Sequence, residues 1–152
     1  LEEGCHRNFA FTMFHAQNMP EVEFKWIGVK QLDTKLWEIT VEIENTKIIP
    51  TRLGLARTKQ IGLPDLLTLE GPSVLLSGTV SDRFDQSIDP VGERPARLLI
   101  DRGIGGKDWS TFRFFVEGNA GDSVTLKFQA EKARDIEYRF TLDETEISPS
   151  DR

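Results

Sequence analysis

The sequence predicts an antiparallel β-sandwich of about seven or eight short strands, preceded by one N-terminal α-helix. Three observations predict it. Apolar and polar residues alternate over several short runs, the signature of strands with one buried and one wet face. Clusters of Gly, Pro, Asn and Asp punctuate those runs as turns do. Helical spacing is confined to the first twenty residues, so the strand–helix alternation of a parallel sheet is absent. With 152 residues, 38% of them hydrophobic and 29% charged, the chain is long enough for one sizeable core.

The helix comes first. Between Gly4 and Pro20 there is neither Gly nor Pro, and Cys5, Phe9, Met13 and Ala16 recur at helical spacing. Phe11 and Phe14 are expected to widen that apolar face. Glu2 and Glu3 suit the positive end of the helix dipole, and Pro20 marks the stop. Residues 1–20 therefore form the helical segment, residues 21–147 the sandwich and residues 148–152 a frayed tail.

From Glu21 the period changes. Val22, Phe24 and Trp26 alternate with charged residues, as do Trp37, Ile39, Val41 and Ile43, with a hairpin turn at Gln31–Lys35 between them. Thr51–Gln60 reads as an edge strand. In the Gly- and Pro-rich middle, strands are expected at Ser73–Val80 and Ala96–Asp101, with a long loop over Ser81–Pro95. The last third returns to clean alternation at Phe112–Val116, Val124–Ala130 and Ile136–Leu142, with turns at Gly118–Gly121 and Lys132–Asp135.

Composition excludes several functions. A net charge of -6 and a pI near 5.0 lack the clustered Lys and Arg that phosphate binding needs. No apolar run approaches the roughly 20 residues of a membrane span. Cys5 is the only cysteine, which rules out an internal disulfide and a multi-cysteine metal site.

No complete catalytic set emerges. His6 and His15 lie nine residues apart, about half a turn away from a shared helical face, where a metal pair needs four. Cys5 beside His6 is adjacency in sequence, not a nucleophile–base pair, and Cys5 is expected on a buried helix face. Asp82, Asp85, Asp89 and Asp101 gather around the long loop without calcium-loop spacing and read as a solvated acidic loop. Gly103–Lys107 lacks phosphate-loop spacing and reads as a turn between strands. Trp26 and Trp37 fall in phase with the core. Trp109, in a Gly/Asp loop ahead of a strand, is the one tryptophan expected to make surface or ligand contact.

The phrase Leu1-Glu2-Glu3-Gly4-Cys5-His6-Arg7-Asn8, running into Phe9-Ala10-Phe11-Thr12 and His15-Ala16-Gln17-Asn18-Met19-Pro20, resembles the end of the peptidase domain in a group of large bacterial zinc carboxypeptidase-like proteins. Asn45-Thr46-Lys47-Ile48-Ile49-Pro50-Thr51 and Phe115-Val116-Glu117-Gly118 resemble parts of the β-rich C-terminal extension that follows it. The resemblance implies a non-catalytic accessory domain, a secreted or periplasmic location, and a parent hydrolase whose zinc sits in an upstream domain. The family's H-x-x-E ligand pair does not occur here, so neither a metal ligand nor a catalytic residue carries over and no cofactor is expected in this chain. Leu1, with no preceding Met and no signal peptide, fits a piece of a longer polypeptide.

On this reading Phe9, Phe11 and Phe14 cover an interface, with the upstream peptidase domain or with a second copy in a homodimer. The alternative is an independent carbohydrate- or protein-binding sandwich that uses Trp109 and the long loop. A stand-alone hydrolase has no acid, base and nucleophile set to support it.

Overall fold

The computed structural model describes residues 2–81, 87–91 and 93–149. They form a mainly β domain of two antiparallel sheets behind an N-terminal helix, as the alternation predicts. In chain order the elements are α1 (Glu2–Gln17), β1 (Val22–Asp33), β2 (Leu36–Asn45), α2 (Gly54–Thr58), β3 (Asp65–Glu70), β4 (Ser73–Val80), β5 (Ile88–Pro90), β6 (Arg97–Ile100), β7 (Asp108–Glu117), β8 (Ser123–Ala130), β9 (Ala133–Thr141) and β10 (Thr145–Ile147). The larger sheet runs β10-β1-β2-β7-β4-β5 and the smaller β6-β3-β8-β9.

The core lies between the sheets. Ile39, Val41 and Ile43 of β2, Phe112, Phe114 and Val116 of β7, and Val124, Leu126 and Phe128 of β8 are fully buried. They occupy alternate positions, because successive side chains leave opposite faces of a strand. Each fully buried side chain of this size contributes about 2–3 kcal/mol. Trp37 is buried with them and donates its indole N–H to the carbonyl of Gly118 at 3.1 Å. The first hairpin closes over Thr34-Lys35, with Asp33 opposite Leu36 and the Asp33 carboxylate accepting the Thr34 N–H at 2.7 Å.

Several expectations are corrected. Trp26 is not a core residue. The register of β1 slips between Phe24 and Trp26, and the extra residue of such a bulge flips the alternation. Ile27 takes the buried position, and Trp26 lies half-buried across Gly28. Any Cβ on Gly28 would meet the indole at 2.3 Å, so the ring needs a glycine beneath it.

Thr51–Gln60 is not an edge strand. Thr51 and Arg52 turn inward and are buried, and Gly54–Thr58 is a five-residue helix. Ten strands form among the described residues, more than the seven or eight expected. β3 was hidden between Pro64 and Gly71, β5 lies inside the expected Ser81–Pro95 loop, and β10 pairs with β1 close to the expected tail. The β8–β9 turn is shorter than Lys132–Asp135, since Ala133 already pairs with Ala130. Residues 82–86 and 150–152 lie outside the described residues, and with them Asp82, Asp85 and most of the expected tail.

The helix departs most from expectation. It ends where Pro20 requires, with Asn18 bonded through both its N–H and its side-chain amide to the carbonyl of Phe14. Yet every described side chain of α1 is exposed, Cys5 included, so Cys5 is not on a buried face. Phe9 is 64%, Phe11 66% and Phe14 55% exposed. At about 100° per residue, Phe11 and Phe14 stand about 160° and 140° from Phe9. They do not widen its face. They make a second apolar face on the opposite side of the helix, and the sandwich covers neither.

Candidate functional site

One end of the sandwich collects the start of β1, the end of β2, the end of β4, the end of β6 and the start of β7. Helix α1 leaves from this end through Pro20. Two connections meet here, residues 46–53 after β2 and residues 101–107 between β6 and β7, and buried polar side chains tie them together.

Asn45 is the first tie. Wholly buried, it donates from Nδ2 to the carbonyls of Ile49 (2.8 Å) and Gly105 (3.1 Å). Its Oδ1 accepts the N–H groups of Lys47 (3.1 Å) and Glu21 (3.3 Å). One amide thus satisfies four backbone groups that a buried loop would otherwise leave unpaired. The backbones touch at Gly106, where a Cβ would sit 1.7 Å from the carbonyl oxygen of Ile48.

Thr51 and Asp65 are the second tie. The hydroxyl of Thr51 donates to the Asp65 carboxylate and accepts the Ile104 N–H at 2.7 Å, while the Thr51 N–H donates to Ile104 O at 3.0 Å. Burial pushes the Asp65 carboxyl above its ordinary value, against the Thr51 hydrogen bond and the charge of Arg52, which pull it down. Arg52 is itself buried and donates to the Asp101 carboxylate at 2.8 Å, and Arg57 of α2 approaches the same carboxylate at 3.4 Å. An exposed surface ion pair is worth little, but the buried Arg52 fixes where Asp101 stands.

These ties brace one wall of a cleft of about 790 Å³. Leu99–Gly103 and Gly105 form that wall, Thr79–Ser81 and Asp89 face it, and Asp108–Phe112 of β7 close the base. The lining carries the carboxylates of Asp89, Asp101 and Asp108 and the guanidinium of Arg102, with Asp101 already held by Arg52 and Arg57. The chemistry on offer is recognition of cations and hydrogen-bonding groups. Neither histidine reaches the cleft, since His6 and His15 are both on α1, where His15 Nδ1 sits 3.1 Å from the carbonyl of Phe11.

The expected site residues therefore separate. Trp109 lines the cleft, half-buried, and pairs with Glu44 across the β2–β7 ladder. The ammonium of Lys25 lies 4.4 Å over its ring and 3.2 Å from Glu44. Asp89 and Asp101 join Trp109 in the cleft. Phe9, Phe11 and Phe14 stay on the helix. Gly103–Lys107 is the connection between β6 and β7. Among the described residues, no three His, Cys, Asp or Glu side chains converge as a metal site, and no helix is long and apolar enough to cross a membrane.

Asn45, Thr51 and Asp65 did not stand out as site residues in the sequence. Asp65 offered a faint signal, a carboxylate just after Pro64 at the head of the apolar run Leu66-Leu67.

Two solved structures are similar to this chain at a low level. A conjugate transposon protein segment from Bacteroides vulgatus is 13% identical with a TM-score of 0.39, covering 83% of this chain and 86% of that one. The apo PCuAC domain from PmoF1 is 17% identical with a TM-score of 0.36, covering 82% and 92%. Likeness at this level carries no functional implication. No curated protein matches the sequence at a significant level. Residues 21–141, from just before β1 to the end of β9, match a family described as Domain of unknown function (DUF8731), and the chain belongs to that family.

Proposed function

We propose that this chain is a non-catalytic accessory domain of a larger secreted or periplasmic protein of the zinc carboxypeptidase-like type, docked through α1 against an upstream catalytic domain. The observation that carries the proposal is the helix. A surface helix of a globular domain has one apolar stripe, whereas a helix apolar on opposite sides is suited to burial on both. Phe9 with Met13 on one side and Phe11 with Phe14 on the other leave α1 with two faces that only another body can cover. Exposed Ile48, Leu53, Leu55, Ile61 and Leu63 extend the apolar surface around the 46–53 connection and α2. The family resemblance of the Leu1–Pro20 phrase supplies the identity of the partner. Any zinc belongs to that partner domain.

The single exposed cysteine provides the test. In the isolated chain the exposed Cys5 is expected to be open to a maleimide. In the full-length protein the proposal expects at least tenfold protection, together with zinc-dependent release of C-terminal residues from peptides. A Cys5 equally reactive in both forms, or a reading frame with no domain upstream, would overturn it.

A second reading, an independent carbohydrate- or protein-binding module, is favoured by the place of Trp109 beside the cleft. Lys25 already covers one face of the ring, which leaves less of it for stacking on a sugar. A glycan array whose signal falls on Trp109→Ala would favour this reading over the first.

A further inference from the structure

Among the described residues the smaller sheet is one strand short beside β6. Phe24 of β1 meets Tyr138 of β9 at 6.4 Å between ring centroids, which sets β9 against β1. From there the smaller sheet counts four strands and stops at β6, while the larger continues through β4 to β5. The cleft fills the gap that results.

Register shows what faces that gap. Thr79 lies opposite Phe112 on one side and opposite Asp89 on the other. Directly opposed residues share a face, and Phe112 is in the core. Thr79 and Asp89 therefore stand on the inner face of the larger sheet, where a covering strand would otherwise meet apolar side chains. Ser110, two residues from Phe112, shares the face. No ion pair of the described residues reaches Asp89, whereas Asp101 is held by Arg52 and Arg57.

The wall of the gap is β6, which among the described residues pairs with β3 alone. The Leu69 N–H donates to Ala96 O at 3.0 Å. Antiparallel alternation then puts Leu67–Leu98 and Asp65–Ile100 on bonded rungs and Leu66–Leu99 on the rung between. Leu99 so turns its N–H and C=O to the open edge, with its side chain 61% exposed.

We propose that β6 accepts an extended peptide of a partner protein as a fifth strand of the smaller sheet. Basic side chains at alternate positions reach inward over Asp89, and the apolar ones between them lie outward beside Leu99. Backbone pairing along such an edge supplies affinity, and the alternate side chains supply selectivity. Four residues of β6 span about 13 Å at the usual rise, and because the Arg97 N–H is already bonded to Arg94 O at 2.9 Å, Leu99 carries the pairing.

The test uses the full chain and a fluorescein-labelled peptide of three Lys-Val repeats, followed by fluorescence anisotropy. The proposal expects saturable binding by this peptide and none by a Glu-Val counterpart. N-methylation at the positions facing β6 removes the ladder hydrogen bonds without touching the protein, and is expected to abolish binding. Asp89→Asn should weaken binding at least fivefold and Leu99→Pro more than tenfold, while Asp135→Asn on β9 leaves it unchanged. Absence of saturable binding, undiminished binding after N-methylation, or an equal loss with Asp135→Asn would overturn the proposal.

Discussion

The Thr51 hydroxyl donates to the buried carboxylate of Asp65 and, by accepting the Ile104 N–H, joins the chain after β2 to the chain before β7. Thr51→Val keeps the shape and removes both bonds. Asp65 is then left buried with one partner fewer, and the Ile104 amide loses its acceptor. An unpaired buried polar group costs about 1–3 kcal/mol, and two are affected. Urea unfolding is expected to show a loss of about 2–4 kcal/mol.

The same carboxylate makes stability depend on pH. Unfolded, Asp65 titrates at its ordinary 3.8, and folded it titrates higher because burial disfavours the charge. Between those two values the folded protein binds more protons than the unfolded one, so this contribution to stability falls as pH rises through the window. Asp65→Asn has no such titration. Unfolding free energies measured from pH 3.5 upward should decline less steeply for the variant than for the parent.

Ser77 carries a different cost. It is wholly buried on β4, opposite Phe114, and its hydroxyl has no hydrogen-bond partner among the described residues. Ser77→Ala removes an unsatisfied group with little change of volume. Thermal unfolding should show a gain of about 1 kcal/mol or a small change, and a clear loss would mean that the hydroxyl is satisfied after all.

Removal of residues 1–17 tests the independence of α1. No described side chain of the helix is buried on the sandwich, so the truncated chain should keep its unfolding midpoint within about 2 °C and its cooperative transition. Its apolar faces gone, it should also associate less at high concentration. Sedimentation velocity on both chains reads that difference.

Much of the fold was legible because alternation reports burial directly. β2, β7 and β8 each put an uninterrupted apolar series on one face, and the core follows those series. The failures have physical causes. In β1 a single bulge reversed the phase, so a pattern extended from Val22 and Phe24 placed Trp26 inside. In β3 the inward series starts with Asp65, and a buried carboxylate is legible only once Thr51 and Arg52 are known to lie beside it. The cleft was legible in pieces. Trp109, Asp89 and Asp101 are each visible in the sequence, but the register of β5 on β4 and the short reach of the smaller sheet bring them together, and both are long-range facts. In α1 the apolar content was plain, while its division between opposite sides needed angles as well as spacing.

The ladder between β2 and β7 carries one more consequence. Leu36 pairs with Glu117 and Asn45 with Asp108, so the centre of the larger sheet joins the first third of the chain to the last third. Loops of that length must close before any of this ladder is rewarded, and topologies dominated by such pairings fold on the order of milliseconds to seconds. The β1–β2 hairpin is local and is available much earlier. During synthesis it emerges long before its partner strand, with Ile39, Val41 and Ile43 uncovered, and that interval is when the protein is most exposed to misassociation.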